Sequence, residues 1–273
     1  MIKVLGKDFG GLKEYLEELG YKVSKDEFDK YMTAQKELAK KNAKNKTQMA
    51  SQKKVLLEFT DESQFVYGLY RLKSNVLAIF SKDEIVDTID HDCYIAINRT
   101  CFYAEQGGQI YDTGMIVGKN FKARVLEVFK APNGQHIHKV KLLAGTISHN
   151  DECELIVDKD RRNKIEANHS SVHILQYALQ QVVSDSIHQA GSYVDDERLR
   201  FDFTYTGKMT DEKLLEVEKF ANDMINEDII VSTEIMPLDK AKQLGAMALF
   251  NEKYGETVRV VKIGKSIELC GGT

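Results

Sequence analysis

Ala123-Arg124-Val125-Leu126-Glu127-Val128-Phe129, then Pro132-Asn133-Gly134, then His136-Ile137-His138-Lys139-Val140 is the stretch that decides the fold of the middle of this chain. Two runs rich in β-branched and apolar residues flank a Pro-Asn-Gly turn signal, so the segment predicts a β-hairpin. His136 and His138 alternate with apolar neighbours, which places them on the solvent face of that hairpin. Upstream, Val55-Leu56-Leu57-Glu58-Phe59, Phe65-Val66-Tyr67-Gly68-Leu69-Tyr70 and Val76-Leu77-Ala78-Ile79-Phe80 are short runs separated by polar turns. They read as further strands. Many short strands at close spacing predict a small antiparallel β-barrel over residues 54–158.

On either side the pattern changes. Residues 1–53 read as a helical segment and linker. Leu12, Tyr15, Leu16 and Leu19 repeat at helical spacing with Gly20 as a stop, and Ser24-Lys25-Asp26-Glu27 is a capping box for a second helix. Phe28, Tyr31 and Met32 form the apolar side of that helix, and periodicity is lost through Asn42-Ala43-Lys44-Asn45-Lys46. Residues 159–273 mix helix and strand. A helix from Ile165 through Val182 is followed by a strand at Arg198–Phe203 and a helix from Asp211 to about Asn226. Strands at Ile229–Val231 and Val258–Val261 complete the pattern. The fold class is α+β.

Composition is that of a globular protein, with 42% hydrophobic and 29% charged residues and no apolar run of membrane-spanning length. Cys93, Cys101, Cys153 and Cys270 show no close pairing, which argues against a disulfide framework and for a reducing, cytoplasmic setting. The net charge of −4 does not advertise a nucleic-acid partner. Lys36, Lys40, Lys41, Lys44, Lys46, Lys53 and Lys54 fall in one stretch with the single acid Glu37. Such a run either follows a phosphate backbone or is a solvated helix face.

Two sets of residues carry candidate chemistry. His169 and His173 lie four apart, on one face of the first helix of the C-terminal part. They can bind one metal ion, with the Cys270 thiolate as a third ligand; chance also produces such pairs. Imidazole plus thiolate favours Zn²⁺, and three protein ligands with an open position describe a catalytic site. The second set flanks Gly107-Gly108, which permits a close backbone approach to a ligand or a turn of positive φ. Thr100, Glu105 and Gln109 either line that approach or are incidental to a barrel turn.

Thr100-Cys101-Phe102-Tyr103-Ala104-Glu105-Gln106-Gly107-Gly108-Gln109 resembles the T-P-F-Y-A-E-x-G-G-Q segment of the alanyl-tRNA synthetases. His169-Ser170-Ser171-Val172-His173 resembles their zinc helix. Gln189–Val194 with Leu199–Phe203, Gly245–Phe250 with Glu252–Gly255, and Ser266-Ile267-Glu268-Leu269-Cys270-Gly271-Gly272-Thr273 are similar to further motifs, in family order. The N-terminal helices resemble the end of the family's tRNA-recognition region. Cys101 stands where the family has Pro, and is expected to loosen that strand. Lys7-Asp8-Phe9-Gly10-Gly11 departs from the family's usual pattern.

The resemblance implies the editing domain, which hydrolyses the ester of tRNA(Ala) wrongly loaded with serine or glycine. It implies zinc on His169, His173 and Cys270, with a further His four residues beyond the Cys. The sequence stops at Thr273, one position short, which is the expectation for a fragment or an incomplete site. Nothing in the chain resembles the ATP-dependent alanine-activating domain. A pocket for alanine discriminates poorly against glycine and serine, so a second site that hydrogen-bonds the serine hydroxyl is needed. Thr100 and Gln109 are the candidates for that polar wall, and Glu105 for a base. Zinc either activates water or orients the substrate. An independent trans-editing deacylase and a non-catalytic tRNA-binding remnant are the alternative readings.

Overall fold

A computed structural model describes residues 22, 24–26, 29–31, 33, 34, 54–82, 84–247 and 254–273. The described residues from Lys25 to Ala34 are helical, as the capping box predicts, and Tyr31 is exposed. The expected helix at Leu12–Leu19, the linker at residues 42–46 and the lysines from Lys36 to Lys53 lie outside the described residues.

The middle of the chain begins with a short helix, α1 (Lys54–Glu58), followed by β1 (Arg71–Ser81), β2 (Glu84–Val86) and β3 (Cys93–Ile97). Then come β4 (Gly114–Gly118), β5 (Phe121–Lys130), β6 (His136–Gly145) and β7 (Glu152–Val157). Six of these strands pair antiparallel in the order β7-β4-β5-β6-β3-β1, with β2 beside β1. β7 also pairs back onto β1, with Cys153 opposite Ser74 and Leu155 opposite Leu72, so the sheet closes into a barrel. Register shifts at Val76/Ala78 and Val125/Glu127 are bulges of the kind that bend strands tightly enough to close. Val76, Ile95, Ile97, Ile116, Val125, Val140 and Leu155 belong to the interior cluster.

The hairpin is where the sequence places it, but its two faces are not one wet and one dry. Ile137 packs outward with Ala78, Phe80 and Ala96 under Leu56 and Phe59 of the α1 region. Val55–Phe59 is therefore a helical turn and not the expected strand. Leu56 and Phe59, three apart, are buried while Leu57 and Glu58 between them are exposed, which is helical spacing. His136 and His138 are also buried, contrary to the solvent-facing expectation. His138 lies opposite Ile95, on the inner side, and His136 stacks on Phe65 at 5.4 Å between ring centroids. The expected strand at Phe65–Tyr70 shrinks to Gln64–Phe65, paired in parallel with Arg99–Thr100, because Gly68 at φ 74° turns the chain.

Helix α2 (Lys159–Val182) follows at once, its N-cap Asp158 accepting from the Arg161 N–H. The hairpin β8 (Gln189–Val194) and β9 (Leu199–Phe203) and helix α3 (Asp211–Asn226) pack against it. A three-stranded antiparallel sheet, β10 (Val231–Pro237), β11 (Thr257–Ile263) and β12 (Ser266–Leu269), completes the fold, with α4 (Leu238–Gln243) between β10 and β11. The strand expected at Ile229–Val231 starts only at Val231, since Asp228 turns the chain with φ 49°. The α+β expectation holds for these described residues. All four cysteines are free. Among the described residues no helix is long and apolar enough to cross a membrane.

One buried ion pair joins the barrel to α2. Arg162 Nε donates to Asp112 Oδ1 at 2.8 Å, its Nη2 donates to Asp112 Oδ2, and Nη2 also reaches Cys101 O at 2.9 Å. Asp112 Oδ2 in turn accepts the Tyr103 N–H at 2.6 Å. Cys101 is wholly buried and its carbonyl is held by Arg162. Removing one member of such a pair strands a buried charge and costs about 3–5 kcal/mol. Arg162→Met and Asp112→Asn should each lower the free energy of unfolding in urea by about that amount, with the double variant less destabilised than the sum.

The buried histidines set a pH dependence. Burial pushes His138 down to about 4 and His136 down to about 3, from an ordinary value of 6.5. The unfolded chain binds protons on these rings that the folded chain refuses, so stability rises with pH through this window. Their contribution should be full above about pH 6.5 and lost progressively toward pH 4. Urea titrations at several pH values should show this fall, reduced in His138→Gln.

Candidate metal centre

Helix α2 presents His169 and His173 on one face because four residues are close to one helical turn. Their rings stack at 5.3 Å with 19° between planes. Strand β12 and the residues after it run past this face and bring Cys270 to it. The Cys270 Sγ lies 3.2 Å from His169 Nε2, and the ligand atoms of His169, His173 and Cys270 all fall within 4.8 Å of one another. The three residues singled out as ligands are thus brought together.

Each imidazole is held by its other nitrogen. His169 Nδ1–H donates to Gln109 Oε1 at 2.6 Å, and His173 Nδ1–H donates to Glu268 Oε2 at 2.6 Å. Both rings therefore turn Nε2 toward the Cys270 sulfur, where a metal ion would take the place of the Nε2 proton. Tetrahedral zinc with bonds of about 2.0–2.3 Å sets its ligands about 3.5 Å apart; the His169–Cys270 pair at 3.2 Å would open slightly and the wider separations, none above 4.8 Å, would close to fit it. Burial would raise the Cys270 thiol, but hydrogen bonds from His169 and His173 and their charge hold it well below its ordinary value. Burial would lower His173, yet its bonds to Cys270 and Glu268 hold it up at about 10. A thiolate beside two imidazoles is the donor chemistry that zinc favours.

The cysteine loop is clasped from several sides. Tyr67 O–H donates to Gly271 O at 3.1 Å. Arg259 donates to Cys270 O at 3.0 Å and lies over the Tyr67 ring, 4.8 Å from its centroid. Gln109 Nε2 donates to Thr273 Oγ1 at 2.8 Å, and Thr273 N–H returns a bond to Gln109 Oε1 at 3.0 Å. Gly108, at φ 84°, lets the Gln109 loop press on β8, because a Cβ there would sit 2.6 Å from Ser192 O.

Gln109 is therefore part of the cluster. Thr100 belongs to a separate buried network. His138 Nδ1–H donates to Ile95 O at 3.2 Å, so its Nε2 accepts from the Thr100 hydroxyl at 2.9 Å. Thr100 Oγ1 also accepts the Phe102 N–H at 3.1 Å. Glu105 is exposed, its backbone N–H bonds Val128 O, and its charge reaches Tyr193. The converging ligand atoms are those of His169, His173 and Cys270. Sequence reasoning missed His138, Glu268, Tyr67 and Arg259. For Glu268 a signal existed: it sits two residues before Cys270, the spacing that puts two residues of extended chain on one side.

Comparison with known proteins places the chain in a family. The family described as "tRNA synthetases class II (A)" matches residues 10–161. An alanine–tRNA ligase of Lysinibacillus sphaericus is 43% identical over 265 residues, covering 95% of this chain and 29% of the relative. That of Halalkalibacterium halodurans is 41% identical over 264 residues, covering 95% and 30%. That of Staphylococcus saprophyticus is 43% identical over 249 residues, covering 90% and 28%. The chain thus spans less than a third of the length of these relatives.

The geometry makes Gly272 a sharp probe. A methyl group there would overlap the His169 ring and lie 2.9 Å from Gln109 Oε1. Gly272→Ala should displace His169 from Gln109 and weaken zinc binding by about tenfold or more, while circular dichroism stays native. Calorimetric titration with zinc measures it.

Proposed function

The chain belongs to the class II tRNA synthetases, and from that membership we propose that it is the editing region of an alanyl-tRNA synthetase. Its substrate is tRNA(Ala) whose acceptor end carries serine or glycine, and its reaction is hydrolysis of the aminoacyl ester. Attachment of alanine with ATP belongs to the parent enzyme. The division into residues 1–53, 54–158 and 159–273 is kept as a working scheme. A cytoplasmic setting agrees with four free cysteines.

The observation that carries this reading is the convergence of His169, His173 and Cys270 with Gln109 of the barrel loop. His169, His173 and Cys270 would hold zinc, which when bound supplies Lewis acidity for ester hydrolysis. The chain's own groups then do the rest. Gln109 fixes His169 and leaves the loop carrying Thr273 close to the ligands. The Thr100 hydroxyl, its proton committed to His138, supports a polar wall that accepts the serine hydroxyl as donor. Alanine lacks that hydroxyl and would leave the wall unpaired, which is the basis of rejection.

Seryl- and glycyl-tRNA(Ala) hydrolysis by the purified protein tests the reading. His173→Ala should abolish zinc uptake and activity together. Thr100→Val should slow the seryl ester by about 2–10-fold, the worth of one neutral hydrogen bond, and the glycyl ester much less. Equal slowing would assign Thr100 to the His138 network alone. Zinc binding and tRNA binding without hydrolysis would favour the non-catalytic remnant. Activity equal to that of a full-length synthetase, insensitive to salt, would favour an autonomous trans-editing enzyme.

A further inference from the structure

Helix and strand meet in matched steps at this site. From His169 to His173 a helix rises about 6 Å. From Glu268 in β12 to Cys270 just past it, where the Cys270 N–H still bonds Arg259 O at 3.0 Å, extended chain rises about 6.6 Å. Two rungs result: His169 opposite Cys270, at 3.2 Å, and His173 opposite Glu268, at 2.6 Å. Strand alternation puts Ser266 on the same side, and its hydroxyl donates to Glu268 Oε1 at 3.0 Å. Ile267 and Leu269, on the other side, pack with Met236, Val258 and Val260. The carboxylate is 5% exposed, and each of its oxygens has a partner.

We infer that Glu268, held by Ser266, is a positioning residue that aims His173 Nε2 at the zinc ion and balances the charge of the loaded site. This rests on the zinc reading above. Two neutral imidazoles and one thiolate leave a divalent ion with one net positive charge in a buried place. An uncompensated buried charge is costly, and Glu268 supplies the missing negative charge through the His173 ring. The two histidines are supported unequally: His169 leans on the neutral amide of Gln109, and His173 on a carboxylate. A carboxylate partner raises the donor strength of the imidazole it holds, which a neutral amide does less. A mere structural staple between β12 and α2 would behave differently. Its loss would weaken the fold but leave metal affinity of the folded protein unchanged.

The test is zinc affinity, measured by competition with a chelating dye, for the wild-type chain, Glu268→Gln, Glu268→Ala and Ser266→Ala. Circular dichroism and urea unfolding run alongside. Glu268→Gln keeps an acceptor for His173 and removes the charge, so it decides the matter if Glu268→Ala fails to fold. Expected losses are about tenfold for Glu268→Gln and about 100-fold for Glu268→Ala, with Ser266→Ala smaller than either. Cobalt substituted for zinc should give a tetrahedral absorption spectrum in the wild type that is altered in Glu268→Ala. Wild-type zinc affinity in folded Glu268→Gln and Glu268→Ala, whatever their stability, overturns the inference and leaves the metal reading intact. A wild-type chain that takes up no zinc overturns the metal reading itself, and the inference with it.

Discussion

The buried contact between Arg162 and Asp112 governs how the two halves of the molecule meet. Asp112 ends the loop that carries Thr100, Glu105 and Gln109, while Arg162 lies in the first turn of α2. Arg162 precedes His169 by seven residues, close to two helical turns, so both point from one face of the helix. Fixing the guanidinium fixes the rotation of the helix about its axis, and with it the direction of both imidazoles. The same carboxylate takes the Tyr103 N–H, so the loop and the helix share one anchor. Gln109 can then meet His169 without either side chain searching.

What this anchor organises is a site made from segments far apart in sequence. A barrel loop gives Gln109, a helix gives two imidazoles, and the end of a strand gives the thiol. Precision comes from secondary-structure repeats that nearly coincide, with Glu268 on β12 opposite His173 on α2. The cysteine itself lies beyond β12, and there Tyr67, Arg259 and Gln109 restrain the chain.

Much of this was legible before any coordinates. The hairpin around Pro132-Asn133-Gly134 and the helix at Asp211–Asn226 follow from turn chemistry and amphipathic spacing, and both are where the sequence puts them. The grouping of His169, His173 and Cys270 follows from residue type and family order. The errors share a physical origin in tertiary cover. Reading Val55–Phe59 as a strand removed the element that lies over the outside of the barrel. Without that cover, alternation with apolar neighbours puts His136 and His138 on the wet face. In fact α1 buries one side of β6 and the barrel interior the other. Alternation reports two faces but not what each one touches. The role of Glu268 is not legible locally, because its partner His173 lies 95 residues away.

The return of β7 onto β1 has a consequence for how the chain reaches this structure. The closing pairs join residues 71–75 to residues 152–156, so the barrel is sealed by its last strand. Contacts of such long sequence separation form slowly, because much of the loop entropy is surrendered before they reward it. Asp158, the cap of α2, follows that strand directly. A growing polypeptide therefore sets the axis of α2 in the act of sealing the barrel, and the imidazoles acquire their aim only then. The thiol arrives about a hundred residues later in synthesis. During that interval the two histidines stand oriented without their sulfur partner, so the three-residue cluster is completed at the end of assembly and is not its nucleus.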